Sequence, residues 1–213
     1  VREYGGGAWW LGSTACYFAN WDDQRLYRLD PGSQPVALTP EPPTPAAWRY
    51  ADGVEHPNGQ WGVCVRERHG DGPEAINELV AIPSSPTGGP AELSNPSVLP
   101  AGSADFVAAP RFSPDGQWLS WIRWSHPQMP WDGTELCVAP VSFDSGSDRG
   151  GPLDLGPTQV VAGGQQESIC GPAWTPAGRL VFSTDRNGYW NLHGWQPGEP
   201  CDVAITTLSG SDI

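Results

Sequence analysis

Residues 112–141 read FSPDGQWLSWIRWSHPQMPWDGTELCVAPV, and this stretch decides the fold. Pro114 presets φ at the second position of a turn, Asp115 tolerates turn geometry, and Gly116 accepts a positive φ. The run that follows alternates Trp118, Ser120 and Ile122 against Leu119, Trp121 and Arg123. That pattern suits a strand apolar on both faces. SHPQMPWDG then forms a loop, and TELCVAPV reads as the next strand. Extending outward, DFVAAPRF (105–112) precedes the turn as a first strand, and TQVVAG (158–163) is a weaker fourth. The unit is four short antiparallel strands.

The unit recurs. HPNGQWGVCV from His56 and WTPAGRLVFS from Trp174 repeat the turn and second strand, with turn prolines Pro57, Pro114 and Pro176 spaced by 57 and 62 residues. NELVAI, TELCVA and WNLHGW repeat the third strand, and QRLYRL supplies its counterpart near the start. Leu26, Leu79, Leu136 and Leu192 mark that position at intervals of 53, 57 and 56. Four-stranded antiparallel units at this period describe propeller blades close to the kelch length. A β-sandwich with irregular loops is the alternative. The expected architecture is all-β, with blade-like units at about 1–40, 50–108, 109–164 and 169–213. Four blades leave open strand edges, so a larger ring of six to eight blades and self-association through those edges are expected. TPEPPTPAAW, SSPTGGPAELSNPS and FDSGSDRGGPLDLGP join the units as exposed connectors within one domain.

Composition narrows the function. The 213 residues include 27 Gly, 24 Pro and 12 Trp, which opposes a helical bundle and, through the tryptophans, a disordered chain. Every cation is Arg, and the net charge is −13, so phosphate is repelled and no nucleic-acid partner is expected. No apolar run approaches the roughly 20 residues of a membrane helix, and no membrane association is expected. Val1 stands in a patterned segment with no leader before it, which reads as a cut edge. Cys16, Cys64, Cys137, Cys170 and Cys201 are odd in number and never form C-x-x-C, and the four His never pair at ligand spacing. Reduced cysteines, a cytoplasmic setting, no metal and no cofactor are expected.

VREYGGGAWW (1–10), YFANWDDQRLYRL (17–29), FSPDGQWLSWIRWSHPQMPWDGTEL (112–136) and FSTDRNGYWNL (182–192) resemble the propeller of prolyl oligopeptidase-family serine peptidases. The nearest group is the bacterial and plant dipeptidyl- or acylaminoacyl-peptidase-like members. The resemblance covers most of residues 1–195, while CDVAITTLSGSDI matches less well. It implies a parent with an α/β-hydrolase domain that carries Ser, Asp and His and cleaves short peptides. No G-x-S-x-G elbow occurs in these 213 residues, so they hold no catalytic residue of that reaction.

The resemblance also implies that a propeller rim gates and positions substrate, and strand order selects the rim. Segments before strand one and loops between strands two and three lie at one end of a blade, opposite the Pro-Asp-Gly turns. That rim collects Glu3, Tyr4, Trp21–Gln24, His126, Trp131, Asp132 and Asp185–Tyr189, including Arg186. Carboxylates there suit a peptide ammonium, and aromatic rings suit neighbouring side chains. The plain alternatives are that Asp132 and Asp185 cap turns, Arg186 pairs with a local acid, His126 is a structural loop residue, and Trp131 only packs between blades. A stand-alone propeller that binds a protein partner is the competing functional class.

Overall fold

Three repeat turns close in the same way in the computed structural model, which describes residues 6–70, 72, 74–86, 93, 95–143, 152–200 and 206–207. The amides of Gly59, Gly116 and Gly178 donate to the carbonyls of His56, Ser113 and Thr175 at 2.8, 2.9 and 2.9 Å. The three glycines have φ of 69°, 71° and 80°, values that a Cβ opposes. In the central turn the Asp115 carboxylate also accepts from Ser113 Oγ and the Gln117 amide. Each turn joins the first two strands of an antiparallel sheet.

Four such sheets follow one another, and no helix occurs among the described residues. The first runs β1 (Trp9–Leu11), β2 (Cys16–Ala19), β3 (Leu26–Leu29), β4 (Val36–Ala37). The second runs β5 (Trp48–Glu55), β6 (Trp61–Arg68), β7 (Ile76–Pro83), β8 (Ser97–Val98). The third holds β9 (Phe106–Phe112), β10 (Trp118–Trp124) and β11 (Glu135–Phe143), with both β12 (Leu153–Leu155) and β13 (Gln159–Gly163) paired to β11. The last runs β14 (Ile169–Trp174), β15 (Leu180–Thr184), β16 (Asn191–Trp195), β17 (Thr206–Thr207). Three sheets are simple meanders. The third has five strands, because its fourth-strand place is shared.

The chain divides into two units, residues 1–101 with 143–154, and residues 102–142 with 155–213. The first unit is centred on Trp10, Tyr17, Leu26, Tyr50, Cys64, Val80 and Ile82, with Trp10 stacked on Tyr17 at 5.5 Å. Phe106, Ile122, Leu136, Val138, Val161, Ile169, Leu180, Phe182 and Trp195 form the core of the second. In β10, Leu119, Ser120, Trp121 and Ile122 are all buried, so both strand faces are covered, as the alternation predicts. Trp174 of β14 donates its indole N–H to Arg111 O and Ser120 Oγ, fastening the last sheet onto the third. Each buried Leu, Ile or Phe contributes about 1.5–3 kcal/mol by leaving water.

One repeat feature lies beyond the turns. Asp52, Ala109 and Gly171 carry positive φ of 52°, 51° and 59° within the first strands of the second, third and last sheets. The partner register shifts beside Asp52 and Gly171. All three stand seven residues before the turn glycine. These are β-bulges, each bending the first strand at the same point. The Leu series holds for Leu26, Leu79 and Leu136, all fully buried, but Leu192 is 43% exposed. In β16 the inward positions are taken by His193, Gly194 and Trp195 instead.

Candidate functional site

The Ser125–Gly133 loop of the second unit is fastened at both ends. Asp105, just before β9, donates its amide to Ser125 Oγ and accepts the His126 amide at 2.9 Å. The start of strand one and the loop between strands two and three therefore meet at one end of this sheet, as strand order predicts. The His126 ring stands edge-on to Phe106, with centroids 5.0 Å apart. Within the loop, the Asp132 and Gly133 amides both donate to Met129 O, and Asp132 Oδ2 accepts the Met129 amide at 3.2 Å. Asp132 thus braces its own turn. Trp131 beside it is 63% exposed.

A buried polar network joins this loop to the Asp185–Trp190 loop of the last sheet. Ser168 Oγ donates to Pro130 O at 2.6 Å, and the Ser168 amide donates to Asp185 Oδ1 at 2.8 Å. Thr134 Oγ1 accepts the Ile169 amide, while the Thr134 amide donates to Glu167 O. Arg186 binds Glu167 through Nε and Nη2, both at 2.9 Å, and Thr184 Oγ1 donates to the same carboxylate at 2.7 Å. Burial would push the Glu167 carboxyl up, but the bonds from Arg186 and Thr184 outweigh it and hold it below the usual range. Arg186 therefore pairs with a local acid. Asp185 reaches across to Ser168, with the Gly188 amide closing the turn on Asp185 O.

Beside this network lies a depression of about 450 Å³, lined by Arg123, His126, Gln128, Thr134, Glu135 and Gln165 among others. Arg123 and Glu135 are cross-strand partners joined at 2.8 Å. The pair places a cation and a carboxylate together in the lining of this depression. Gly133 is required here, because a Cβ would come within 2.7 Å of the Gly164 and Gln165 carbonyls.

In the first unit the corresponding loop is also braced. Asp23 accepts from Asn20, the Arg25 amide and the Tyr27 hydroxyl, and Trp21 is exposed. Glu3 and Tyr4 lie outside the described residues. Sequence reasoning missed Glu167, Ser168 and Thr134, which assemble the second unit's site. A polar Gln-Gln-Glu-Ser run directly before the apolar start of β14 was the available signal.

No protein-family model matches the chain, and no curated protein matches it. Solved structures do. A puromycin-hydrolysing peptidase of Mycobacterium tuberculosis is 34% identical over 98% of this chain, with a TM-score of 0.76. A puromycin hydrolase is 33% identical over 97%, with a TM-score of 0.75. The chain spans 31% of the length of each. A TolB-like protein of Agrobacterium tumefaciens, 13% identical over 92% of this chain and 58% of its own, shares the fold at a TM-score of 0.58.

Proposed function

Since this chain is a propeller-like portion of the prolyl oligopeptidase family of peptidases, we propose that it gates a longer serine peptidase and helps hold peptides for hydrolysis. The observation that carries this reading is the joined pair of loops at one end of the second unit. Pro130 and Asp185 are locked through Ser168, and Trp131 is presented outward on the loop that Pro130 anchors. Rigid loops lose little entropy when a ligand seats on them. One relative is described as a mutant hydrolase complexed with PGG, and two others as acting on puromycin, which supports small peptides or aminoacyl amides as substrates.

The chemistry of bond cleavage belongs to residues beyond this stretch, and the role proposed here is exclusion and positioning. Loops that narrow an entrance admit short chains and refuse folded protein. The four described cysteines are free, which supports a reducing, cytoplasmic setting. The exposed aromatics also fit a second reading, a scaffold that binds a protein partner without catalysis.

The test is hydrolysis of a peptide length series by the intact protein, compared with a variant in which Ser168→Ala loosens the two loops. The expected result is activity on short peptides, with kcat/KM falling steeply with length in the parent and less steeply in the variant. No peptide hydrolysis at any length would leave the scaffold reading. An identical length profile in both proteins would remove these loops from the gate.

A further inference from the structure

Three large aromatic side chains stand exposed on the two joined loops: Trp131 at 63%, Tyr189 at 81% and Trp190 at 50%. Exposed tips on mobile loops would mean little, but these loops are held from beneath by buried groups. Ser168, Thr134 and Thr184 are almost wholly inaccessible, and each uses its polar atoms to tie the loops down. Asp132 and Asp185 each bind one backbone amide through one oxygen. Neither carboxylate accepts a further hydrogen bond among the described residues, so each keeps an oxygen for an incoming group. Arg186, the one arginine of the two loops, is neutralised by Glu167. The outward chemistry is aromatic and anionic, on a chain of net charge −13 without lysine.

We propose that this surface binds peptides through a cationic side chain, arginine or lysine, laid across Trp131, Tyr189 or Trp190 and reaching the Asp132 or Asp185 carboxylate. Indole and phenol faces attract a guanidinium through the ring quadrupole. A carboxylate at the edge supplies the charge-assisted hydrogen bond that fixes its orientation. An anionic side chain meets like charge at the same place. The inference rests on the reading of this rim as peptide-facing and adds the side-chain class it selects.

The test uses the intact protein and three N-acetylated, dye-labelled pentapeptides that differ only at the central residue: arginine, citrulline or glutamate. Acetylation removes the terminal ammonium, and citrulline keeps the shape of arginine without its charge. By fluorescence polarisation the arginine peptide should bind about 5- to 20-fold more tightly than the citrulline peptide, with glutamate weakest. The preference should shrink as salt rises from 50 to 500 mM, because the surface is exposed. Trp131→Ala and Asp132→Asn should each cut the arginine-over-citrulline ratio several-fold at unchanged melting temperature.

Equal binding of arginine and citrulline, weakened alike by Trp131→Ala, would overturn the cationic preference while sustaining a peptide-facing rim. An arginine preference untouched by Trp131→Ala, Tyr189→Ala and Trp190→Ala would overturn the assignment to this surface. No binding of any peptide would remove both readings.

Discussion

Asp132 shows how one side chain can serve structure and leave room for recognition. Its Oδ2 braces the Met129 amide, a bond that an asparagine carbonyl can replace. Asp132→Asn should therefore change stability by less than about 0.5 kcal/mol, whereas Asp132→Ala should cost about 1 kcal/mol by losing the bond. Urea melts of both variants check this. Glu167 is the opposite case, since its partly buried carboxylate is bound by Arg186 and Thr184. Glu167→Gln leaves Arg186 with a neutral partner and should cost about 1–3 kcal/mol.

The acid response follows from the same residue. A carboxyl whose folded pKa lies below its unfolded value stabilises the fold above the ordinary value of 4.5, and that stability is lost as pH falls through the folded pKa. Burial shifts the His193 ring the other way from protonation, with Arg186 nearby adding repulsion, so its folded pKa lies below 6.5. It contributes a gentler loss that starts as pH drops past 6.5. The melting temperature should thus decline slightly below pH 6.5 and steeply below about 4.5. Glu167→Gln should flatten the steep part, as thermal melts across pH would show. Glu167 was hard to read from sequence because its partners lie 17 and 19 residues away, across the β14–β15 hairpin.

At the scale of strands, turns were the legible part and bulges were not. Pro-Asn-Gly, Pro-Asp-Gly and Pro-Ala-Gly share a glycine that the positive φ requires, so the repeat was visible in residue type. The bulges at Asp52, Ala109 and Gly171 share only geometry, since aspartate, alanine and glycine leave no common letter. Gly171→Ala should cost about 1 kcal/mol and Gly171→Val more, because a β-branched side chain resists positive φ further. Ala109→Gly should be tolerated within about 0.5 kcal/mol, strain relief offsetting added chain entropy. Leu136 and Leu192 make a second contrast. Both occupy the repeat position, yet Leu136 is fully buried and Leu192 is not. Leu136→Ala should cost about 2–5 kcal/mol and Leu192→Ala well under 1, as chemical denaturation of the pair would read.

For the whole molecule, a period of 53–57 residues with four strands per unit was enough to reveal the sheets, because every sheet is built from neighbours in sequence. Strand order also identified which loops share an end of a sheet, and the Asp105–His126 contact follows that order. What joins two loops of different sheets was not legible. It depends on Ser168, a short side chain whose neighbours Pro130 and Asp185 are brought to it only by packing of the third sheet against the last. The central claim is that this end of the second unit faces peptide substrate while the Pro-Asp-Gly end does not. The most direct measurement places a photo-crosslinking amino acid at position 131, and separately at position 115 at the opposite end of the same sheet, in the intact protein. A labelled substrate peptide should be captured from position 131 and not from position 115. Equal capture from both, or capture from position 115 alone, would contradict the assignment.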